Sequence, residues 1–423
     1  MAVLLTAAHS FGCLAVARAL HARNVPVLVV GRPGSLTFYS RAVTKALVAP
    51  PSRSEPEAFA RFVMEAARAH GVEVVLPLDD TSCMALDRVR GEMEHTARLA
   101  LPNSACLRIA MDKERLAETA ARLGVPTPLS RVVTTLDEAR AASADLGYPV
   151  VVKPRASALT QGVPAHLTFK VRFAARWKTL EDILEPYLAD GRSLLLQEYY
   201  PGHQINLNGF CARGEIVAVA QHRSLKTLTL TGLDSIVREM VPVDPLVAAH
   251  TARLLRGLHY EGLFSLQFRQ SPRHGLWGLT DLNPRAGINL GTTIRAGLNT
   301  PYLAYEWYTR GRIGPVGPYR PGVRGRGLWL DVRHTALLLR GVGREIDPYY
   351  PSRARAVADF LLEFFRADHY DKFALADPLP ALAEPWHRGV EGIRRAGYRV
   401  LRTLAPRRPI RPDAAARQAW PSS

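Results

Sequence analysis

Gln267, Asp281 and Asn283 are the side chains best suited to hold a cation, and Arg285 follows two residues after Asn283. The last three lie in residues 275–287, Gly-Leu-Trp-Gly-Leu-Thr-Asp-Leu-Asn-Pro-Arg-Ala-Gly. A strand turns alternate residues to one face, so Leu279, Asp281 and Asn283 are expected on one side and Thr280 and Leu282 on the other. Residues 262–269 also have strand composition, and the turn signal at 271–275 joins the two into a hairpin. If the hairpin is symmetric about His274, Gln267 sits opposite Asp281. Oxygen donors with one carboxylate suit Mg²⁺, which keeps several waters and completes its shell with substrate phosphates. A polar outer face on an ordinary hairpin is the competing reading of these residues.

The elements that must position this hairpin begin with a βαβ pattern. Residues 1 to about 108 alternate short apolar runs (3–5, 25–30, 71–77) with helical stretches near 14–22 and 55–70, which implies a parallel sheet covered by helices. The first turn, 6–12, lacks the Gly-x-Gly-x-x-Gly spacing of a dinucleotide site. Asp79-Asp80-Thr81 falls at a strand end, where ligand binding and helix capping are both open to it. A helix then runs from Asp112-Lys113 to Leu123, and a second over 136–146. The strand 147–154 ends in the cation Lys153. The small, hydroxyl-rich stretch 155–163, with Ser157 and Gly162, is a turn whose backbone N–H groups can wrap phosphate oxygens. Strands follow at 194–198, 205–210 and 215–222, with a tight turn at 212–214. Residues 223–238 have no firm period and are expected to be a loop or lid. Helices are expected over 245–258 and 292–310.

In this order the parts resemble the ATP-grasp superfamily, in particular its carboxylate–amine ligases, across residues 1–312. The resemblance implies an α/β fold: a Rossmann-like N-terminal parallel sheet (1–110), a small lid-bearing subdomain (111–193), a large α+β subdomain with the metal site (194–312) and a mainly helical extension (313–423). It implies ATP as substrate, with Mg²⁺ or alternatively Mn²⁺. Lys113 and Lys153 match the two phosphate lysines, and 156–163 the flexible phosphate loop. Gln197, Glu198, Tyr199 and Tyr200 match the linker that holds the adenine edge. Gln204 falls where the family usually has a ribose-binding Glu. Gln267, Asp281 and Asn283 match the metal ligands, and Arg285 the residue that steadies the transferred phosphoryl group. Family members commonly carry Glu at the first two metal positions; Gln at the first occurs in the carbamoyl-phosphate synthetase branch.

The implied activity is ATP-dependent joining of a small carboxylic acid to an amine, or to a thiol, through an acyl phosphate. Because two metal positions depart from Glu, an ATP-binding protein with weakened catalysis and a regulatory or scaffolding role is the alternative. Arg223, Arg238 and Asn289 are substrate-side candidates, a positive group for a carboxylate plus an amide; surface and capping roles compete for each. No residue stands out as a general base.

Composition sets the remaining bounds. With 423 residues, two to four domains are expected, and 47% hydrophobic with 22% charged residues fits a globular chain. The net charge of +17 is carried mostly by Arg and favours anionic partners or a solvated basic surface; no module for specific nucleic-acid binding accompanies it. Residues 1–6 read as a buried first strand rather than a signal peptide. Four scattered cysteines read as reduced thiols of a cytoplasmic protein. Trp386, Val390, Ile393, Gly397, Val400 and Leu404 recur at helical spacing among arginines, so 386–411 offers a peripheral contact with an anionic membrane or a helix docked on its own enzyme. From 405 the tail has the composition of a disordered segment. The oligomeric state is left open, and a homodimer is compatible.

Overall fold

Buried apolar runs at the start of the chain have no polar face to offer water, so they line up side by side between helices. In the computed structural model, which describes residues 2–155, 169, 171–228, 235–271, 275–342, 344 and 350–383, β1 (Ala2–Leu5), β2 (Val27–Gly31), β3 (Lys45–Val48), β4 (Val72–Leu76) and β5 (Arg98–Leu99) form a parallel sheet of order β3-β2-β1-β4-β5. The helix Phe11–His21 follows β1, capped by Ser10, whose Oγ accepts from Cys13 N at 3.0 Å. Asp79 caps the helix Asp80–Asp87 through Ser82 N at 2.8 Å, so capping is one of its roles.

The next sheet is antiparallel: β6 (Ser130–Val133), β7 (Val150–Pro154), β8 (Arg172–Ala174) and β9 (Leu194–Glu198), in the order β6-β9-β7-β8. Helices Leu136–Leu146 and Trp177–Leu188 bury its apolar face. Leu194–Glu198, expected to open the large subdomain, belongs to this small sheet because its alternate leucines pack into the small core.

The third sheet has seven strands in the order β14-β13-β10-β11-β12-β15-β16. They are β10 (Gln204–Ala212), β11 (Glu215–Thr227), β12 (Ser235–Val241), β13 (Gly262–Gln270), β14 (Trp277–Asn283), β15 (Arg324–Arg326) and β16 (His369–Tyr370). Arg213 and Gly214 both take positive φ, 53° and 82°, in the β10–β11 turn. The described part of 223–238 is mostly strand rather than the expected loop: β11 extends to Thr227 and β12 begins at Ser235, while 229–234 lie outside the described residues. The helix expected over 292–310 is two, Leu290–Arg295 and Thr300–Arg310. It breaks at Gly297 (φ 109°), and Asn299 caps the second piece.

The chain beyond 312 is not merely appended. β15 and β16 complete the large sheet, and the helices Leu328–Leu339 and Arg353–Arg366 pack against each other. The fully buried Arg326 bonds Asp331 at 2.8 Å and lies beneath Phe360 and Phe364. Paired, these two charges enter a core. Residues 368–377 then strap the large sheet to the first one. Asp371 holds Arg238, and Asp377 accepts from Arg18 Nε (2.8 Å), Ser40 Oγ (2.6 Å) and Arg41 N (3.1 Å).

Burial alone would raise the Asp377 carboxyl, but these donors outweigh it and hold it below its ordinary value. Its contribution to stability is therefore present above the unfolded pKa of about 3.9 and lost as pH falls through the lower folded value. Asp377→Asn is expected to cost about 1–3 kcal/mol in urea unfolding at pH 7, and close to nothing at acid pH where the native carboxyl is protonated. None of the described helices is long and apolar enough to cross a membrane. The amphipathic stretch 386–411 and the tail lie outside the described residues.

Candidate active site

The three sheets meet around a cleft of about 1120 Å³. Its floor is one face of the large sheet. On β10 the apolar residues Ile205 and Leu207 turn into the core, which leaves Gln204, Asn206 and Asn208 on the cleft side. On β13 the same alternation buries Phe264, Leu266 and Phe268 and presents Ser265, Gln267 and Arg269.

Gln267 pairs with Asp281, and Ser265 with Asn283, across β13 and β14. The hairpin is not symmetric throughout, because Phe268 pairs with Leu279 and Thr280 is an extra, bulged residue. Thr280 Oγ1 donates to Gln267 O at 3.2 Å. The bulge overturns one expectation: Leu279 does not share a face with Asp281 but turns into the core with Leu282. Asp281 and Asn283 stay on the cleft.

The opposite wall is the small sheet. Lys153 on β7 and Gln197 on β9 are diagonal neighbours, and Lys153 Nζ donates to Gln197 Oε1 at 2.8 Å. Gln197 Nε2 donates in turn to Ser130 Oγ at 2.9 Å. Burial pulls the Lys153 ammonium down to about 8; Asp281 opposes this, while Lys113 and Arg269 add to it. Lys113 opens a helix whose cap, Asp112, accepts from Glu114 N and Arg115 N. Lys113, Glu198, Tyr199, Tyr200 and Gln204 all line the same cleft. Tyr199 meets Phe173 edge-on at 5.7 Å, and a side chain at Gly278 would strike Tyr200.

Arg285 closes the end of the floor. Its Nη2 donates to Asn283 Oδ1 at 3.1 Å and its Nε to Asp80 Oδ1 at 2.7 Å. Burial disfavours the guanidinium charge, but Asp80 overcomes this and holds it protonated.

No protein-family model matches the chain. The carbamoyl phosphate synthase large chain of Thermomicrobium roseum is 27% identical over 190 residues, which is 42% of this chain but only 16% of that one. The biotin carboxylase domain of Hydrogenobacter thermophilus 2-oxoglutarate carboxylase, solved with ADP, magnesium and bicarbonate, superposes with a TM-score of 0.60. It is 15% identical, with 76% of this chain and 73% of that one covered. The L-amino acid ligase of Bacillus licheniformis gives 0.57 at 14% identity, over 77% and 78%. The chain has the ATP-grasp fold.

In ATP-grasp terms, Lys113, Lys153, residues 197–200, Gln204, Gln267, Asp281, Asn283, Arg285 and Asn289 share one cleft. Ser157 and Gly162, in the expected phosphate loop, lie outside the described residues. Arg223 and Arg238 do not line the cleft. Arg223, one residue beyond the cleft-facing His222, points to the other face and pairs with Glu239 at 3.1 Å. Arg238 is fully buried between Asp371 and Thr292, whose Oγ1 accepts from its Nε at 2.7 Å. A chain segment 133 residues away neutralises it, which no local pattern announces.

The donor set fits magnesium of the kind held jointly with phosphate. All three candidates offer oxygen, only Asp281 is a carboxylate, and no three His, Cys, Asp or Glu side chains form a cage among the described residues. Sequence reasoning missed Asn206, Asn208, His222, Ser235 and Lys372, which also line the cleft. The polar alternation Gln204-x-Asn206-x-Asn208 within an apolar strand was the available signal for the first two.

Proposed function

We propose that this chain is an ATP-dependent ligase that activates a carboxylate as an acyl phosphate and passes it to an amine, or to a thiol, releasing ADP and phosphate. The observation that supports this reading is that Lys153, from β7 of the small sheet, shares one cleft with Asp281, Asn283 and Arg285, from β14 and the residues just after it. A carboxylate does not condense with an amine in water, because oxide is a poor leaving group. Phosphoryl transfer to the carboxylate supplies a better one, and it asks of the protein mainly positioning and charge neutralisation.

Residues 197–200 hold the adenine edge and Gln204 the ribose. Lys113 and Lys153 neutralise phosphate oxygens from the small-sheet side. Gln267, Asp281 and Asn283 would hold magnesium, which would supply charge stabilisation to phosphate oxygens. Arg285, fixed by Asn283, stabilises charge on the group in transfer. Its partner Asp80 opens the helix that follows β4 of the first sheet, so domain position and the Arg285 orientation are linked.

The test is ADP release by the full-length protein with ATP, magnesium and pooled small carboxylic acids, with and without pooled amines. The expected result is acid-dependent ADP release that an amine increases. ATP binding without ADP release under every pool would overturn the ligase reading in favour of a nucleotide-binding protein without catalysis.

A further inference from the structure

The helices Leu328–Leu339 and Arg353–Arg366 are built inside out. A helix that covers a sheet normally turns its apolar stripe inward and its polar groups to water. The first of these instead buries Asp331, His334 and Thr335 with Leu338, and leaves Trp329, Val332 and Leu339 exposed. The second buries Ala356 and Glu363 and exposes Val357, Leu361, Leu362, Phe364 and Phe365. With about 3.6 residues per turn, Leu361 and Phe365 lie at the centre of its outer face, opposite Glu363. Trp329 is 53%, Leu361 54% and Phe365 90% exposed, so these rings and the leucine stand out from the surface rather than lie along it.

The inward polar groups fix this orientation. Asp331 accepts from Arg326 Nε at 2.8 Å and pairs with Lys226 at 3.5 Å. Lys226 Nζ also donates to Asp359 O at 3.1 Å, and Glu363 lies 3.7 Å from Arg324. Turning either helix to hide its apolar residues would break these bonds to β11 and β15. Single exposed apolar residues are ordinary, but a run of them on two packed helices marks a surface that binds something.

We propose that the outer faces of these two helices form a peripheral membrane site that seats on a bilayer surface rich in anionic lipid. Trp329, Leu361 and Phe365 enter the interface, and the arginines around them meet the headgroups. The inference is independent of the ligase reading.

Charge selects the occupant. The acidic side chains of the two helices are turned inward or paired: Asp331 and Glu363 are buried, and Asp359 lies 3.7 Å from Arg355. Arg333, Arg340, Arg353, Arg355 and Arg366 are exposed. By helical spacing Arg333 and Arg340 share the side of Trp329, and Arg355 and Arg366 edge the face that carries Leu361 and Phe365. A second copy of the chain would set arginine against arginine. The chain's own residues 386–411 bring more of the same sign, with Arg388, Arg394, Arg395, Arg399 and Arg402 against Glu391 alone. A nucleic acid would satisfy the arginines and leave leucine and phenylalanine uncovered. An anionic bilayer does both, because its interface takes up rings and aliphatic side chains while arginine stems reach along it to the phosphates.

The test uses the full-length protein with an environment-sensitive fluorophore on Ala358→Cys, an exposed position on the outer face of the second helix, or on Ala141→Cys, exposed on a helix of the small sheet. The four native cysteines are buried, so labelling is confined to the introduced one. Vesicles of phosphatidylcholine, alone or with about 30% phosphatidylglycerol, are titrated in. The expected result is a saturable blue shift at Ala358→Cys and none at Ala141→Cys, with binding at least about a hundredfold weaker without the anionic lipid. Leu361→Ser combined with Phe365→Ser should weaken binding about 10–100-fold with the thermal midpoint unchanged, because both side chains are exposed in the free protein. Arg333→Gln combined with Arg340→Gln should weaken binding to the anionic vesicles about tenfold or more and leave binding to phosphatidylcholine alone unchanged. Absence of a shift, an equal shift at Ala141→Cys, or undiminished binding by the serine variant would overturn the proposal; the last would place any membrane contact elsewhere on the chain. A probe already blue-shifted without vesicles would overturn it too, in favour of a second copy if dilution reverses the shift and of the chain's own residues 386–411 if it does not.

Discussion

Arg285→Met is expected to lower the rate of ATP-dependent ADP release by about 10²–10³-fold, with little change in the KM for magnesium ATP. The reasoning starts from where the guanidinium is held. Asn283 Oδ1 and Asp80 Oδ1 fix it from two sides, so it is already oriented before substrate arrives. A preorganised cation of this kind acts on charge that develops during transfer, which is why the loss should appear in kcat. Removing it also leaves Asp80 without its ion-pair partner, and that alone disturbs the contact between the first sheet and the cleft. Asp80→Asn separates the two effects: it keeps the cation and removes the ion pair, and should cost no more than about tenfold. If Arg285→Met raised KM and spared kcat, the residue would be a ground-state contact and its assigned role would fail.

Lys153→Met should weaken magnesium ATP binding by about 10–150-fold, the worth of a charge-assisted hydrogen bond in a buried site. The pH dependence gives the sharper signature. In the free protein burial brings Lys153 to about 8. Phosphate oxygens favour its charged form, so binding takes up a proton near and above that pH. Affinity should therefore fall up to tenfold per pH unit above about 8, and titration calorimetry in buffers of different ionisation enthalpy should register the uptake. Lys153→Arg keeps its charge and should show no such slope.

The same shift has a stability consequence of opposite sense. A lysine whose folded pKa lies below its unfolded value of about 10.4 penalises the fold at low pH, and the penalty is relieved as pH rises from about 8 to 10.4. Free Lys153→Met is accordingly expected to be about 1–3 kcal/mol more stable than the unsubstituted chain at pH 7, despite losing the bond to Gln197. Higher stability together with weaker ATP binding would identify a side chain held in place for its ligand.

What the sequence made legible follows the range of the forces involved. The Gln267–Asp281 pairing could be read because hairpin register is a local property and the turn between the strands carries its own signal. The bulge at Thr280 could not, since an extra residue leaves no compositional mark and only the packing of Leu279 beside Leu282 reveals it. Arg238 was read as a candidate for substrate because its neutralising partner, Asp371, is remote in sequence. Arg326 and Asp331 show the same limit: paired charges enter a core that neither could enter alone, and local sequence does not announce the pairing. The polar floor of the cleft left a signal in the alternation of Gln204, Asn206 and Asn208, although Asn206 and Asn208 were not read from it. His222 and Asn289 join it only once β11 and the loop after β14 are folded against β10.

The most direct test of the central claim is an anomalous-difference map from crystals of the full-length protein grown with Mn²⁺ and a non-hydrolysable ATP analogue. A manganese peak coordinated by Asp281 and at least one of Gln267 and Asn283, with Lys153 Nζ on the phosphates, is the predicted result. A nucleotide bound elsewhere, or a metal held by none of these three side chains, would contradict the account.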